Sequence, residues 1–226
     1  MSLRLSGSSV ADDGAAQPDT AEVTDWVLDT GLERLAHGRE QLKAAQAVVQ
    51  NEGATGQAED DTRAALSTLR SAVDWLEDTD RFDEAHAQLD EAGAYTRSTF
   101  GCWLHCDGAY YEQRCPVALA HNRVGMSIAF VVEESECTIC HQAPETCSHV
   151  TGRVYNGERC ARLITKGRIL EVSVVARPAQ PDARFLAVSV PISDLVEALG
   201  PDFEPGMDVS CDRCLSPCDG VSRPWG

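Results

Sequence analysis

Thirteen residues, Cys137-Thr-Ile-Cys-His-Gln-Ala-Pro-Glu-Thr-Cys147-Ser-His149, carry three cysteines and a histidine at the spacing of a metal knuckle. Zn²⁺ takes four nitrogen or sulfur ligands in a tetrahedron, and a CxxC turn followed by a short loop supplies them. Two more cysteine groups flank this one. Cys102-x3-Cys106 is followed by Cys115, with His105 and His121 close by, and Cys211-x2-Cys214-x3-Cys218 lies near the end of the sequence. Cys160 has no near partner. Adding His121 (or His105) to the first group and Cys160 to the last gives three sets: Cys102, Cys106, Cys115 and His121; Cys137, Cys140, Cys147 and His149; and Cys160, Cys211, Cys214 and Cys218. All ten cysteines are then used, and every set is a complete tetrahedron. Closed sets point to structural zinc, one ion at least and up to three, because a catalytic ion keeps one position open. His141 is expected to be exposed inside the knuckle, and His37 and His86 to lie on helix surfaces.

The rest of the composition bounds what these sites serve. A chain of 226 residues suffices for one ample domain or two small ones. With 36 acidic and 19 basic residues the net charge is −17, which argues against general nucleic-acid binding, since phosphate contacts need a basic surface. Residues 150–184 run locally basic and suit an acidic partner or the acidic N-terminal half. Residues 1–24 lack the apolar core of a secretory signal, and no run approaches a membrane span. A cytoplasmic, reducing setting is expected, where clustered cysteines bind metal more often than they form disulfides.

The elements that must position these ligands divide the chain. Residues 1–22 read as a disordered tail, rich in small and polar residues. Residues 23–97 read as a helical hairpin. Leu28, Leu32, Leu35, Leu42, Ala45 and Val49 mark one helical stripe, and Leu66, Leu69, Val73 and Leu76 a second, beyond the turn-rich 51–56. Phe82, Ala85, Leu89 and Ala92 mark a third, short helix. Gly31 and Gly38 weaken the first helix by about 1 kcal/mol each relative to Ala but permit close approach of another helix. The thin apolar stripe suggests docking on a protein partner or on a second copy through these helices. Residues 98–226 read as a zinc-binding, β-rich domain, with strands at 126–132, 169–175 and 185–190. A helix at 193–200 follows, with Ser193 as N-cap and Gly200 as C-cap. The expected class is α+β.

Gly125-Met-Ser-Ile-Ala-Phe130 and Glu171-Val-Ser-Val-Val-Ala-Arg-Pro-Ala-Gln-Pro-Asp-Ala183 resemble the two signature strands of phage prohead (capsid maturation) serine proteases. The knuckle, with Gly152-Arg-Val-Tyr-Asn-Gly157 and Cys160, looks like an insertion between those strands. The resemblance spans about residues 115–190 and implies a small barrel-like core. Ser173 matches the family's nucleophile, and Pro116-Val-Ala-Leu-Ala-His121 its histidine base, with Glu171 a remote candidate to orient it. A histidine bound to zinc through its ring cannot also take a proton from a serine. The expected function is therefore a zinc-stabilised binding or assembly protein on a prohead-protease-like core that has lost catalysis. The alternative is an active serine endopeptidase using Ser173 and His121.

Overall fold

The computed structural model describes residues 20–222, with side chains from Asp25. The tail expected at 1–22 lies outside the described residues, except that 20–22 open a helix. Helix α1 (Thr20–Glu52) and helix α2 (Gly56–Trp75) are joined by a tight turn in which Gly53 takes φ 86° and Thr55 caps α2, accepting from the Ala58 N–H at 3.2 Å. The two helices run antiparallel and touch through glycine. A Cβ on Gly31 would stand 2.5 Å from Leu76 Cδ2, and one on Gly38 2.8 Å from Leu69 Cδ2. The close approach anticipated for these glycines is thus made within the hairpin itself.

Helix α3 (Phe82–Phe100) runs well beyond the short helix expected, ending at Gly101 with φ 80°. Helix α4 (Pro116–His121) is formed by the segment that the resemblance matched to the family's histidine base. Pro116 suits a first helical turn, where no N–H partner is required, and Val117, Leu119, Ala120 and His121 are buried. One apolar core joins these elements. Leu35, Leu42, Leu66, Leu69, Val73, Leu76 and Leu89 pack with Val117, Ala120 and three thiols, Cys102, Cys115 and Cys211. The helices therefore complete their core with the cysteine-bearing segments.

The strands are β1 (His105–Cys106), β2 (Tyr110–Gln113), β3 (Gly125–Cys137), β4 (Val154–Tyr155), β5 (Glu158–Arg159), β6 (Arg162–Val175) and β7 (Val188–Pro191), followed by helix α5 (Ile192–Leu199). They form three small open sheets, in the orders β1-β2-β7, β3-β6 and β4-β5. The chain is thus mixed helix and strand, but among the described residues no sheet closes into the expected barrel. The strand expected at 185–190 begins later, at Val188. Ser193 lies inside α5 rather than capping it; Pro191 is the N-cap, and Gly200 ends the helix at φ 86° as expected.

The long element is the antiparallel β3–β6 ribbon, paired from Gly125↔Val175 to Cys137↔Arg162. Both expected strands lie in it, extended toward the knuckle at its far end. A bulge interrupts the regular alternation of the strand. Ala129 pairs with Glu171 but Phe130 with Ile169, so Leu170 is the extra residue. Ile169 consequently joins Val172 and Val174 on the face of Met126, Ile128 and Phe130, and Ser173 and Glu171 lie on the other face. All six apolar residues of that stripe are exposed, from 42% at Met126 to 63% at Ile169.

The base of the ribbon is fastened to α2 by buried charge. Arg123, 1% exposed, donates to Asp74 at 2.5 Å and to both oxygens of Glu77 at 3.1 and 2.6 Å. Arg184 pairs with the same two carboxylates and donates to the Ala176 carbonyl at 2.6 Å. Asp182 accepts from Trp75 Nε1 at 2.8 Å and from Ser71, and pairs with Arg34 at 3.0 Å. Part of the basic 150–184 strip thus meets the acidic helical half of its own chain.

Candidate metal centres

All ten cysteines are free thiols, and all but Cys106 gather in three places. A tetrahedral ion with bonds of about 2.0–2.3 Å holds its ligand atoms about 3.3–3.8 Å apart, so ligand–ligand distances test each group directly.

The first group caps the ribbon. Cys137 ends β3, Cys140 follows in a tight turn with His141 at φ 55°, and a 3₁₀ turn (Pro144–Thr146) returns the chain to Cys147 and His149. Cys140 Sγ to Cys147 Sγ is 3.5 Å, Cys147 Sγ to His149 Nδ1 is 3.6 Å, and Cys137 Sγ to His149 Nδ1 is 3.8 Å. These are tetrahedral edges, and the four residues are the set read from the sequence. The ring of Tyr155 stands edge-on to His149 at 4.5 Å. Backbone N–H groups of Ile139 and His149 point at Cys137 Sγ and Cys147 Sγ at 3.4 and 3.3 Å and favour thiolates there. Burial pushes the Cys137 thiol up, but the N–H groups of Cys140 and Ile139 and the neighbouring thiols outweigh it and bring it down to about 6. At Cys147 the His149 N–H favours the thiolate, but burial and the thiols of Cys140 and Cys137 prevail and push it up to about 11.

Cys160 lies beside this group, outside its four residues, and not with Cys211. Its Sγ lies 3.6 Å from Cys137 Sγ, because the ribbon register that pairs Cys137 with Arg162 brings Cys160 alongside. His141 is exposed, as expected, and faces Glu136 at 3.2 Å.

The second group is thiol-only and sits in the core. Cys102, just beyond α3, Cys115, the N-cap of α4, and Cys211 hold their sulfurs within 4.8 Å of one another. The Cys211 N–H donates to the Cys102 carbonyl at 2.9 Å, and Gln113 Nε2 donates to Cys211 Sγ at 3.1 Å. Contacts from the Cys102 and Cys115 thiols hold Cys211 well below the ordinary thiol range, while Cys102 is raised. Cys214 completes a CxxC with Cys211 and packs against the same core; burial, then Cys115 and Cys211, push it up to about 11. Cys106, assigned from sequence to this set, is on β1 opposite Tyr111, because the chain turns into a strand after Cys102. His105 on the same strand is exposed.

His121 is not in this set either. Its Nδ1 lies 2.6 Å from the Val117 carbonyl, and its Nε2 lies 2.9 Å from His86 Nε2, 2.9 Å from Cys218 Sγ and 3.2 Å from Asp90 Oδ1. His86, Asp90, His121 and Cys218 thus form a third group of metal-ligating side chains. His86 is not the plain surface residue expected of it; its side chain is 14% exposed and stacks on Phe82. The available signal was the i, i+4 spacing of His86 and Asp90, which puts both on one face of α3.

Ser173 lies on β6 opposite Ser127, and its hydroxyl donates to Glu171. Both ring nitrogens of His121 are directed elsewhere. Comparison with models of protein families, with curated proteins and with solved structures finds no match to this chain. Among the described residues, no helix is long and apolar enough to cross a membrane.

Proposed function

We propose that the chain is a zinc-stabilised, non-catalytic assembly protein built on a prohead-protease-like core, with the β3–β6 ribbon as its contact arm. The observation that carries this reading is the ribbon itself. Its two strands of 13 and 14 residues make a two-stranded sheet, joined to other segments by a single bridge at its base, Gly125 to Arg184, yet they present an unbroken exposed stripe of Met126, Ile128, Phe130, Ile169, Val172 and Val174. An isolated two-stranded ribbon is marginal in water, and a stripe of this kind is a surface for association. The occupant that fits is a second copy of this chain. The stripe is apolar and free of charge along its length, so two of them stack face to face as sheets do, in an isologous pair.

Zinc suits the cysteine-rich groups because thiolate and imidazole are its preferred ligands, and a closed tetrahedron supplies folding energy rather than chemistry. The loss of catalysis is supported by His121, the one base that the resemblance supplies for Ser173, whose ring is engaged with Val117, His86, Asp90 and Cys218.

Sedimentation of the zinc-loaded chain tests the reading. The wild type should be dimeric, and an Ile128→Asp, Val172→Asp variant should be monomeric with unchanged zinc content and unchanged circular dichroism. A wild type that stays monomeric at its highest soluble concentration overturns the assembly reading. Full retention of the tip fold after chelation overturns the structural role of the metal there.

A further inference from the structure

We infer that His86, Asp90, His121 and Cys218 form a separate mixed-ligand centre for a divalent ion of the zinc type, which clasps the segment bearing Cys218 onto α3 and α4. No sequence motif announces it, since its ligands come from three places in the chain.

Convergence is the first observation. His86 Nε2, an Asp90 carboxylate oxygen, His121 Nε2 and Cys218 Sγ all lie within 4.8 Å of one another, with separations of 2.9 Å (His86–His121), 2.9 Å (His121–Cys218), 3.2 Å (His121–Asp90), 3.6 Å (His86–Asp90) and 3.6 Å (His86–Cys218). One proton shared between the two imidazoles accounts for a single one of these approaches. One cation at the centre draws all four groups together: the two separations of 3.6 Å are tetrahedral edges, and the other three are shorter and would open to that length around the ion.

The ligands are also oriented as metal ligands are. The Val117 carbonyl can only accept, so His121 Nδ1 carries the proton and Nε2 presents a lone pair to the group; such a carbonyl contact is the usual outer support of a metal-bound histidine. Cys218 Sγ receives the Gly220 N–H at 3.2 Å and a guanidinium N–H of Arg213 at 3.7 Å, which fix the position of the sulfur.

The backbone has been shaped for this meeting. A Cβ on Gly93 would stand 2.6 Å from Val117 Cγ2 and 3.1 Å from Cys214 Sγ, so only glycine lets α4 and the Cys214 segment approach α3 this closely. Two further bonds hold the later segment in place: the Ser222 N–H donates to the His121 carbonyl at 2.8 Å, and the Arg123 N–H to the Ser222 carbonyl at 3.0 Å. Two imidazoles, one carboxylate and one thiolate are a borderline set. Calcium and magnesium, which want six or more oxygens, are excluded.

Metal analysis of the full chain, refolded with excess Zn²⁺ and freed of loose metal, is the test. Cys218→Ser and His86→Gln should each lose one equivalent of zinc, and adding Cys140→Ser at the ribbon tip should remove a second, independent equivalent. In the wild type, long-range ¹H–¹⁵N spectra should show His121 Nε2 unprotonated and shifted between the zinc-loaded and chelated forms. The exposed position of Cys218 keeps Cys218→Ser foldable. Unchanged zinc content in both single variants, or a His121 Nε2 resonance that does not respond to zinc, overturns the inference. Neither result depends on whether the chain dimerises.

Discussion

Arg123 is the side chain whose removal tests most sharply how the helices hold the ribbon. It is 1% exposed and gives three of its hydrogen bonds to Asp74 and Glu77, themselves almost fully covered. Arg123→Ala takes one guanidinium away from two buried carboxylates, with Arg70 and Arg184 still beside Asp74 and Arg184 beside Glu77. Breaking a buried ion pair by removing one partner costs about 3–5 kcal/mol, and because Arg184 stays beside both carboxylates, the lower end of about 3 kcal/mol is expected. For a folded chain of this size each kcal/mol lowers Tm by about 2–4 °C, so the variant should melt about 6–12 °C below wild type. Thermal and urea unfolding followed by circular dichroism, at fixed zinc, measure it. Amide exchange should rise at the base of the ribbon, where Arg184 reaches the Ala176 carbonyl and the Met126 N–H reaches the Ala183 carbonyl. A loss below about 1 kcal/mol, the value of a surface pair, would refute the view that this network is a buried anchor.

Gly38→Ala gains about 1 kcal/mol of helix propensity but drives a Cβ to 2.8 Å from Leu69 Cδ2 and 3.2 Å from the Leu69 backbone nitrogen, so overpacking should win and urea unfolding should show a net loss. Gly56→Ala, where a Cβ meets nothing within 4 Å, is the matched control and should be neutral or stabilising. Ser173→Ala should leave zinc content, melting and any processing of the chain unchanged; loss of self-cleavage in that variant would restore the endopeptidase reading.

The parts legible in the sequence are those whose partners are close along the chain. The hairpin stripes, Gly31 and Gly38, and the four ligands between Cys137 and His149 all follow from local spacing. Cys160 was misplaced because its partner depends on strand register: only once Cys137 is seen opposite Arg162 does Cys160 fall beside it. Cys106 looked like a fourth neighbour of Cys102 by number, but a helix ends and a strand begins between them. The Leu170 bulge, which moves Ile169 to the other face, leaves no mark in an alternating apolar run. His86 and His121 depend on a long-range contact with Cys218, which sequence spacing cannot express.

That contact also dictates an order of events during synthesis. Cys102, Cys115, His86 and His121 leave the ribosome well before Cys211 and Cys218, so neither central group can be completed until the later segment emerges. The ribbon tip, whose ligands arrive almost together, can close first. The nascent chain therefore exposes unsatisfied thiols from its helical core while much of its second half is translated. Loop closure of this length slows the final step. A ribosome stalled before Cys211 should hold a chain with a finished tip and an open, chaperone-dependent body.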